Sequence, residues 1–173
     1  MIASLENTLD KLEEQREFIL SKVSEMPVEK YHLGPVNKWS VSQILTHLVT
    51  SERLALMYMK KKVLGIEKAD NSGLLDHLKI QALILSQRLP LKYRAPQIIV
   101  DNTPKELPLE EVVLQWNQIR AELKILAESI AKKNMRKKIF KHPFMGRFNL
   151  VQGLTFFHEH IRHHWPQIKR LLK

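Results

Sequence analysis

The sequence predicts an all-α protein organised as a four-helix bundle. Five segments repeat apolar residues with the helical period, no segment shows the strict alternation of a half-buried strand, and half of the eight prolines fall in one central stretch. With 173 residues, of which 44% are hydrophobic, the chain suits one folded domain, and we expect residues 1–173 to form it.

The first two predicted helices are defined by their apolar stripes and their boundaries. The first has its stripe over residues 5–23 and ends near Met26. The second begins at Ser40, which stands in capping-box spacing with Gln43, and continues to about Leu64. We therefore expect two long amphipathic helices before the middle of the chain.

The middle of the chain combines a shorter helix with a long connection. A third helix is predicted over residues 74–89. Four prolines then lie between Pro90 and Pro108, and because proline removes a backbone donor and clashes with the preceding turn, they exclude a long helix there. We interpret this stretch as an irregular crossover loop.

The last two helices complete the predicted set of four main antiparallel helices plus a shorter one. The fourth begins after Pro108 and continues to about Lys133, and the fifth covers residues 149–172. Glu52 lies in the apolar stripe of the second helix and Arg120 in that of the fourth. Since buried lone charges are costly, we predict that these two form an ion pair inside the bundle.

The chain carries a formal net charge of +10, but the pattern does not favour a nucleic-acid partner. The densest basic run, residues 132–141, follows a predicted helix, and a solvated helix end explains much of it because cations are stabilised there. Aromatic residues are not interleaved with it as a base-stacking surface would require. We therefore expect no nucleic-acid partner.

The chain has no cysteine and no strongly apolar run. The absence of cysteine excludes thiolate ligands, so any metal must be bound through nitrogen or oxygen. No run approaches the roughly 18 apolar residues that a membrane span needs. We expect a cytoplasmic protein without a membrane partner.

Histidines are the residues that point to chemistry, and four of the eight lie in HEHIRHHW. His160 and His164 are four residues apart, which places them on one face of a helix, close enough to bind one ion. His158 and His163 point in other directions. The alternative is a polar helix face without a metal. His47 borders the apolar stripe of the second helix, and spacing alone does not select it.

Two segments, WSVSQILTHL and HPFMGRFNLVQGLTFFHEHIRHHWPQI, resemble the DinB-like superfamily of metal-binding helical bundles. The resemblance also takes in KYRAP and LEEVVLQWNQIR, and so covers nearly the whole chain from about Trp39 onward. Two positions depart from the family pattern. His163 stands where an arginine often precedes the last histidine, and many relatives lack a proline like Pro166. The matching positions are Trp39-Ser40, His47-Leu48, His160, His164 and Gln167-Ile168.

The resemblance implies a divalent metal ion bound by His47, His160 and His164, with an open coordination position. Zinc or nickel is the first expectation, and iron, manganese or copper also suit imidazole or mixed ligands. Such a site implies a metal-dependent enzyme of the thiol S-transferase or hydrolase type, acting on a small molecule such as a low-molecular-weight thiol. The alternative is a noncatalytic metal-binding or stress-associated scaffold. An exposed bundle face is compatible with a homodimer, and no catalytic residue is assigned.

Overall fold

The computed structural model describes residues 3–89 and 97–173, apart from the side chain of Ile98. The KYRAP match and the first two prolines of the predicted crossover, Pro90 and Pro96, lie outside the described residues. Two 3₁₀ turns, Ile66–Lys68 and Lys132–Asn134, accompany the regular elements. The described elements are α1 (Ala3–Ser24), α2 (Val28–Tyr31), α3 (Val41–Val63), α4 (Leu74–Arg88), α5 (Gln97–Asn102), α6 (Leu109–Ser129), β1 (Phe140–His142), β2 (Gly146–Phe148) and α7 (Leu150–Leu171).

The four long helices form the bundle, which confirms the predicted all-α class. Helix α3 packs against α6 and α7, and α1 also packs against both of these helices, so each bundle helix has two bundle neighbours. The shorter helix α4 lies outside this ring, against α7. The apolar stripes meet inside the ring, where residues such as Leu12, Leu48, Trp116 and Phe157 are fully buried.

The predicted ion pair between α3 and α6 is confirmed. Arg120 donates from its two terminal nitrogens to the carboxylate of Glu52, at 2.5 and 3.2 Å, and the indole of Trp116 donates to the same carboxylate at 3.0 Å. Glu52 is 1% exposed, so its charge lies in the interior with its partners in place. Arg16 of α1 adds a contact to Asn117 of α6 at 2.6 Å.

Two short helices occur where the sequence indicated connections. Helix α5 lies inside the stretch predicted to be irregular, and α2 follows directly after α1. Among the described residues, Pro104 follows α5 and does not interrupt it. The prolines therefore exclude a long helix, as predicted, but leave room for a short one, which packs against α3.

A small antiparallel hairpin, which the sequence did not predict, precedes α7. Strand β1 pairs with β2 so that Phe140 lies opposite Phe148. Each strand has three residues, too few to show an alternating pattern. Gly153 of α7 allows the hairpin to pack against this helix, because a Cβ atom there would lie 2.7 Å from the Phe140 ring.

The basic run at residues 132–141 is not the solvated helix end that the sequence analysis expected. Helix α6 ends at Ser129, four residues before the predicted end, so the run is not a helix terminus. Lys137 donates to the carbonyl of Ala69 at 2.7 Å, Lys138 pairs with Asp76 at 2.9 Å, and Arg136 donates to the carbonyl of Ser72 at 3.0 Å. These cations therefore hold the connection between α3 and α4 in place.

Over the described ranges, the structure contains no helix that combines the length and apolar character needed to cross a bilayer.

Candidate metal centre

His47 is positioned by the first turns of α3. The side chain of Ser40 accepts a hydrogen bond from the backbone of Gln43 at 3.1 Å, and the Gln43 side chain accepts one from the backbone of Ser40 at 2.9 Å. This is the predicted capping box, which satisfies donors that a helix start leaves free. It fixes where the helix begins, and therefore which face His47 presents to α7.

The other two histidines are positioned in the same way by α7. Asn149 and Gln152 form a second capping box at the start of this helix. His160 and His164 lie one turn apart further along, with ring centroids separated by 4.9 Å. Helix α7 continues through Pro166 to Leu171, so the departure from the family pattern at this proline does not end the helix that carries the ligand candidates.

The three candidate histidines converge at the contact between α3 and α7. The Nε2 atoms of His47 and His160 are 3.3 Å apart, and one ring nitrogen from each of the three histidines lies within 4.8 Å of the others. An ion held at about 2.0–2.1 Å from each nitrogen needs nitrogens roughly 3–3.5 Å apart. One pair therefore already has that spacing, and the group as a whole is somewhat wider.

Burial keeps these histidines neutral. Desolvation lowers the pKa of His47 to about 4 and that of His164 to about 3. The pKa of His160 is also well below the ordinary value, first because of desolvation and then because His164 and His47 would repel its positive charge. A neutral imidazole has a free lone pair, so at neutral pH the donor set has the chemistry that a divalent metal ion requires.

Neighbouring side chains hold the three rings in place. The Nδ1–H of His164 can donate to the side-chain oxygen of Gln167 at 3.2 Å, which leaves Nε2 as the free donor atom. Trp39 packs against His47 with ring centroids 5.0 Å apart, and Phe156 stacks on His160 at 5.3 Å with nearly parallel planes. The sequence analysis noted Trp39 and Gln167 only as parts of the resemblance, without a role for either.

Neither of the other two histidines of HEHIRHHW belongs to the group. His158 lies 3.7 Å from the carboxylate of Glu159. The Nδ1 atom of His163 is 2.9 Å from the carbonyl oxygen of Gln87, so this ring ties α7 to the last turn of α4. The residue that departs from the family pattern at this position thus has a packing role between two helices.

The carboxylate of Glu159 binds Arg88. Its carboxylate accepts two hydrogen bonds from Arg88 of α4, at 2.9 and 2.6 Å. The Arg88 guanidinium holds the pKa of this carboxyl below its usual value despite its burial. Because Arg88 donates to both carboxylate oxygens, Glu159 is a poor general base although it is adjacent to His160 in sequence.

His142 is a buried residue near the site to which the sequence analysis gave no role. Its Nδ1 accepts from the backbone nitrogens of Phe144 and Met145, at 3.3 and 3.2 Å. Its ring meets Phe156 edge-on at 4.7 Å, and Phe156 in turn stacks on His160. The sequence signal that could have identified His142 is its position in the segment that resembles the family, just ahead of Gly146. The hairpin therefore supports the wall behind His160.

A cavity of about 200 Å³ opens beside His47. Besides His47, its lining includes Trp39 and residues of α5 and of the segment that follows, among them Ile99, Val100 and Lys105. Among the described residues, these three histidines form the one group of histidine, cysteine, aspartate or glutamate side chains close enough together to hold a metal ion, and no fourth such side chain joins them. The arrangement is compatible with an ion that keeps a coordination position for a small molecule.

Comparison with known proteins gives one result that bears on this geometry. The family model for the DinB superfamily matches residues 11–168 and so includes all three histidines. Neither the curated proteins nor the solved structures give a significant match. Because the matched range covers most of the chain, and the helical bundle and the three-histidine group agree with it, the protein belongs to the DinB superfamily.

Proposed function

We propose that this protein binds one divalent metal ion through His47, His160 and His164 and uses it as a metal-dependent enzyme of the thiol S-transferase or hydrolase type. The observation that carries the proposal is the convergence of three neutral imidazoles from two helices, with no fourth ligand among the described residues. Structural zinc sites usually have four protein ligands, whereas catalytic sites have three and leave a position for water or substrate.

The surroundings of the cluster support catalysis more than simple storage. A bound metal ion of this kind would act as a Lewis acid that makes a coordinated thiol or water a better nucleophile near neutral pH. Trp39 packs against His47 and Phe156 stacks on His160, so both aromatic rings restrict the motion of the imidazoles. Gln167 fixes the orientation of His164, and the cavity beside His47 gives a small molecule access.

The second candidate is a noncatalytic metal-binding or stress-associated scaffold. The observation that favours it is that the described residues include no evident general base, since Glu159 is bound to Arg88. Under this alternative, the metal would link α3 to α7 and stabilise the bundle without reacting. The two candidates differ in whether an external ligand can enter the coordination shell.

The test is elemental analysis of the purified protein together with spectroscopy of a cobalt-substituted form. We expect one divalent ion per chain, with zinc or nickel first and iron, manganese or copper as the other candidates. The cobalt spectrum should change when a small thiol or anion is added, because an open position can exchange its water. Less than stoichiometric metal would refute the proposal, and a spectrum that no added ligand changes would favour the scaffold.

Three further properties belong to the same proposal. We place the protein in the cytoplasm, because a chain without cysteine suits a reducing compartment. We also propose that residues 1–173 form one domain and that the protein is a homodimer, since closed two-fold pairs are the commonest oligomers. Sedimentation velocity and limited proteolysis test the last two. A monomer, or two stable fragments, would refute them.

A further inference from the structure

Helix α4 has an apolar outer face that the rest of the described structure leaves uncovered. Its buried apolar side chains, Ile80 and Leu83, belong to the inner side that packs against the bundle. Five leucines on the outer side are between 45% and 77% exposed, namely Leu74, Leu75, Leu78, Leu85 and Leu89. Single exposed leucines are common on protein surfaces, whereas a contiguous set of them marks an interaction site.

The spacing of these leucines forms one stripe along the helix. Intervals of three, four, three and four residues separate Leu75, Leu78, Ala82, Leu85 and Leu89, and Ala82 is exposed as well. This is the spacing of the residues through which paired helices face each other in coiled coils. A helix on the surface of a monomer usually has one apolar side, but α4 has a second one besides the side on the bundle. The outer stripe therefore has the form of a helix-pairing surface.

The outer stripe carries no charged side chain. Two ionic side chains of α4 bind to the rest of the same chain, since Asp76 pairs with Lys138 and Arg88 pairs with Glu159. By helical angle, Lys79 lies at the edge of the stripe. Anionic membranes and acidic peptides are recognised through several cations, which this face lacks. The stripe instead suits a partner that presents an apolar helix face of its own.

A second copy of the chain presents such a face, and the stripe is complementary to itself. Its side chains follow nearly the same order in both directions from Ala82. Two antiparallel copies of α4 can therefore place Leu75 of each chain opposite Leu89 of the other, as a two-fold interface requires. The small side chain of Ala82 at the axis allows close approach, and antiparallel pairing brings opposite ends of the helix dipoles together.

The exposed area is sufficient for such a pair. From their exposed fractions, the five leucines present roughly 500 Å² of apolar surface per chain, which is in the upper part of the range for the largest patch on a monomer. Two copies would together bury about 1,000 Å² through these leucines alone, and this is the area that a biological interface should reach. Flanking residues such as Gln81 would add to it.

We propose that the protein dimerises through α4, which pairs in antiparallel orientation with α4 of a second copy about a two-fold axis at Ala82. This inference rests on the homodimer of the proposed function and adds the surface that forms it. It is independent of the metal centre, because none of the three candidate ligands lies on α4.

Sedimentation velocity of the full-length chain tests the surface. Leu78→Glu should convert the wild-type dimer into a monomer and raise its dissociation constant about 100-fold or more, because the pair would bury two uncompensated carboxylates. The matched control is Ile125→Glu, since Ile125 is 66% exposed on α6 and the substitution adds the same charge outside the stripe. This control should remain a dimer. Circular dichroism of each variant establishes that the helices are intact.

Disulfide cross-linking tests the orientation. The chain has no cysteine, so an introduced cysteine is its single thiol. Under mild oxidation, Ala82→Cys should give a linked dimer, because a disulfide needs Cα atoms within about 7 Å of each other. Leu75→Cys and Leu89→Cys should cross-link with each other when mixed, but neither should cross-link efficiently alone. Efficient cross-linking of Leu75→Cys alone would overturn the antiparallel arrangement.

The outcomes separate the interface from the homodimer on which it rests. A wild-type monomer would refute both and leave the metal centre untouched. If the wild type is a dimer and Leu78→Glu remains one, the homodimer stands and α4 is not its interface. If the wild type floats with phospholipid vesicles and Leu78→Glu does not, the stripe is a membrane-binding surface and the proposed pairing is wrong.

Discussion

Helix α3 takes part in two buried polar clusters that differ in whether the protein itself supplies the compensating charge. At Glu52, five residues after His47, the carboxylate meets Arg120 and Trp116, so opposite charge and hydrogen-bond donors are already present. At His47, the contact across to α7 brings together three neutral nitrogen donors of the same kind. The first cluster is compensated in charge, although the Nε atom of Arg120 has no hydrogen-bond partner, whereas the second has the form of a partner for a cation.

The difference indicates what each cluster is for. A buried ion pair whose charges compensate each other contributes to the choice of one helix packing, although its net contribution to stability is small once desolvation is counted. Three lone pairs facing one another add little to folding until a cation binds them. The two clusters should therefore respond differently to substitution, acid and added metal.

The largest expected effect is loss of metal binding on removing a ligand. His164→Ala should abolish stoichiometric metal binding, because two imidazoles on different helices then remain and each ligand is essential to the geometry. Isothermal titration with zinc measures this. His158→Ala is the control and should bind metal nearly as the wild type does, since His158 is outside the group. Equal loss in both variants would show that the wrong pair of histidines was chosen.

The second effect concerns the buried pair of Glu52 and Arg120. Arg120→Ala should lower the free energy of unfolding by about 3–5 kcal/mol, because it leaves the Glu52 carboxylate buried without its counter-charge. The double variant Glu52→Leu, Arg120→Leu should cost clearly less, since no charge is stranded. Urea denaturation measures both, with the exposed Arg147→Ala as a control near the wild-type value. A double variant less stable than Arg120→Ala contradicts this account.

The third effect is a dependence of metal-free stability on pH. The folded protein holds His47 neutral down to about pH 4, while in the unfolded chain a histidine takes up its proton near pH 6.5. The unfolded state therefore binds more protons in this window, and the free energy of unfolding should fall as pH drops from about 6.5 to about 4.

Denaturation of chelator-treated protein at several pH values measures the slope of the free energy of unfolding against pH. Each histidine of this kind contributes up to about 1.4 kcal/mol per pH unit to that slope. His47→Leu should give a shallower slope than the wild type. Identical slopes in the two proteins would mean that burial of His47 does not govern its protonation.

The smallest expected effect comes from the residue that orients His164. Gln167→Ala should weaken metal binding by about 10–100-fold and leave the secondary structure intact, because the ring loses the acceptor that fixes its Nδ1–H. Gln167→Glu keeps an acceptor oxygen and should bind metal at least as tightly as the wild type. An affinity unchanged in Gln167→Ala would remove Gln167 from the site.

Local patterns in the sequence predicted much of the helical framework. The start of α3 was predictable because Ser40 and Gln43 are three residues apart, so their mutual hydrogen bonds depend on short-range geometry alone. The common face of His160 and His164 follows in the same way from helical spacing. The buried pair of Glu52 and Arg120 was predictable because each charge interrupts an apolar stripe and has to be compensated.

Features that depend on distant contacts could not be read from the pattern. In the hairpin before α7, the Phe140 ring packs against Gly153, where a larger residue would clash with it. The lysines after α6 contact residues near Asp70, some 65 residues earlier in the chain. Strands of three residues and isolated cations have no periodic signature. Their places are decided by the surfaces they meet.

The candidate site depends both on local sequence patterns and on contacts between residues far apart in the chain. The sequence alone places His160 and His164 side by side, and the family resemblance adds His47, which spacing did not select. Whether His47 reaches the other two depends on how α3 packs against α7, with 113 residues between His47 and His160. That packing is set by the buried apolar faces of the whole bundle, so only the tertiary structure brings the three nitrogens together.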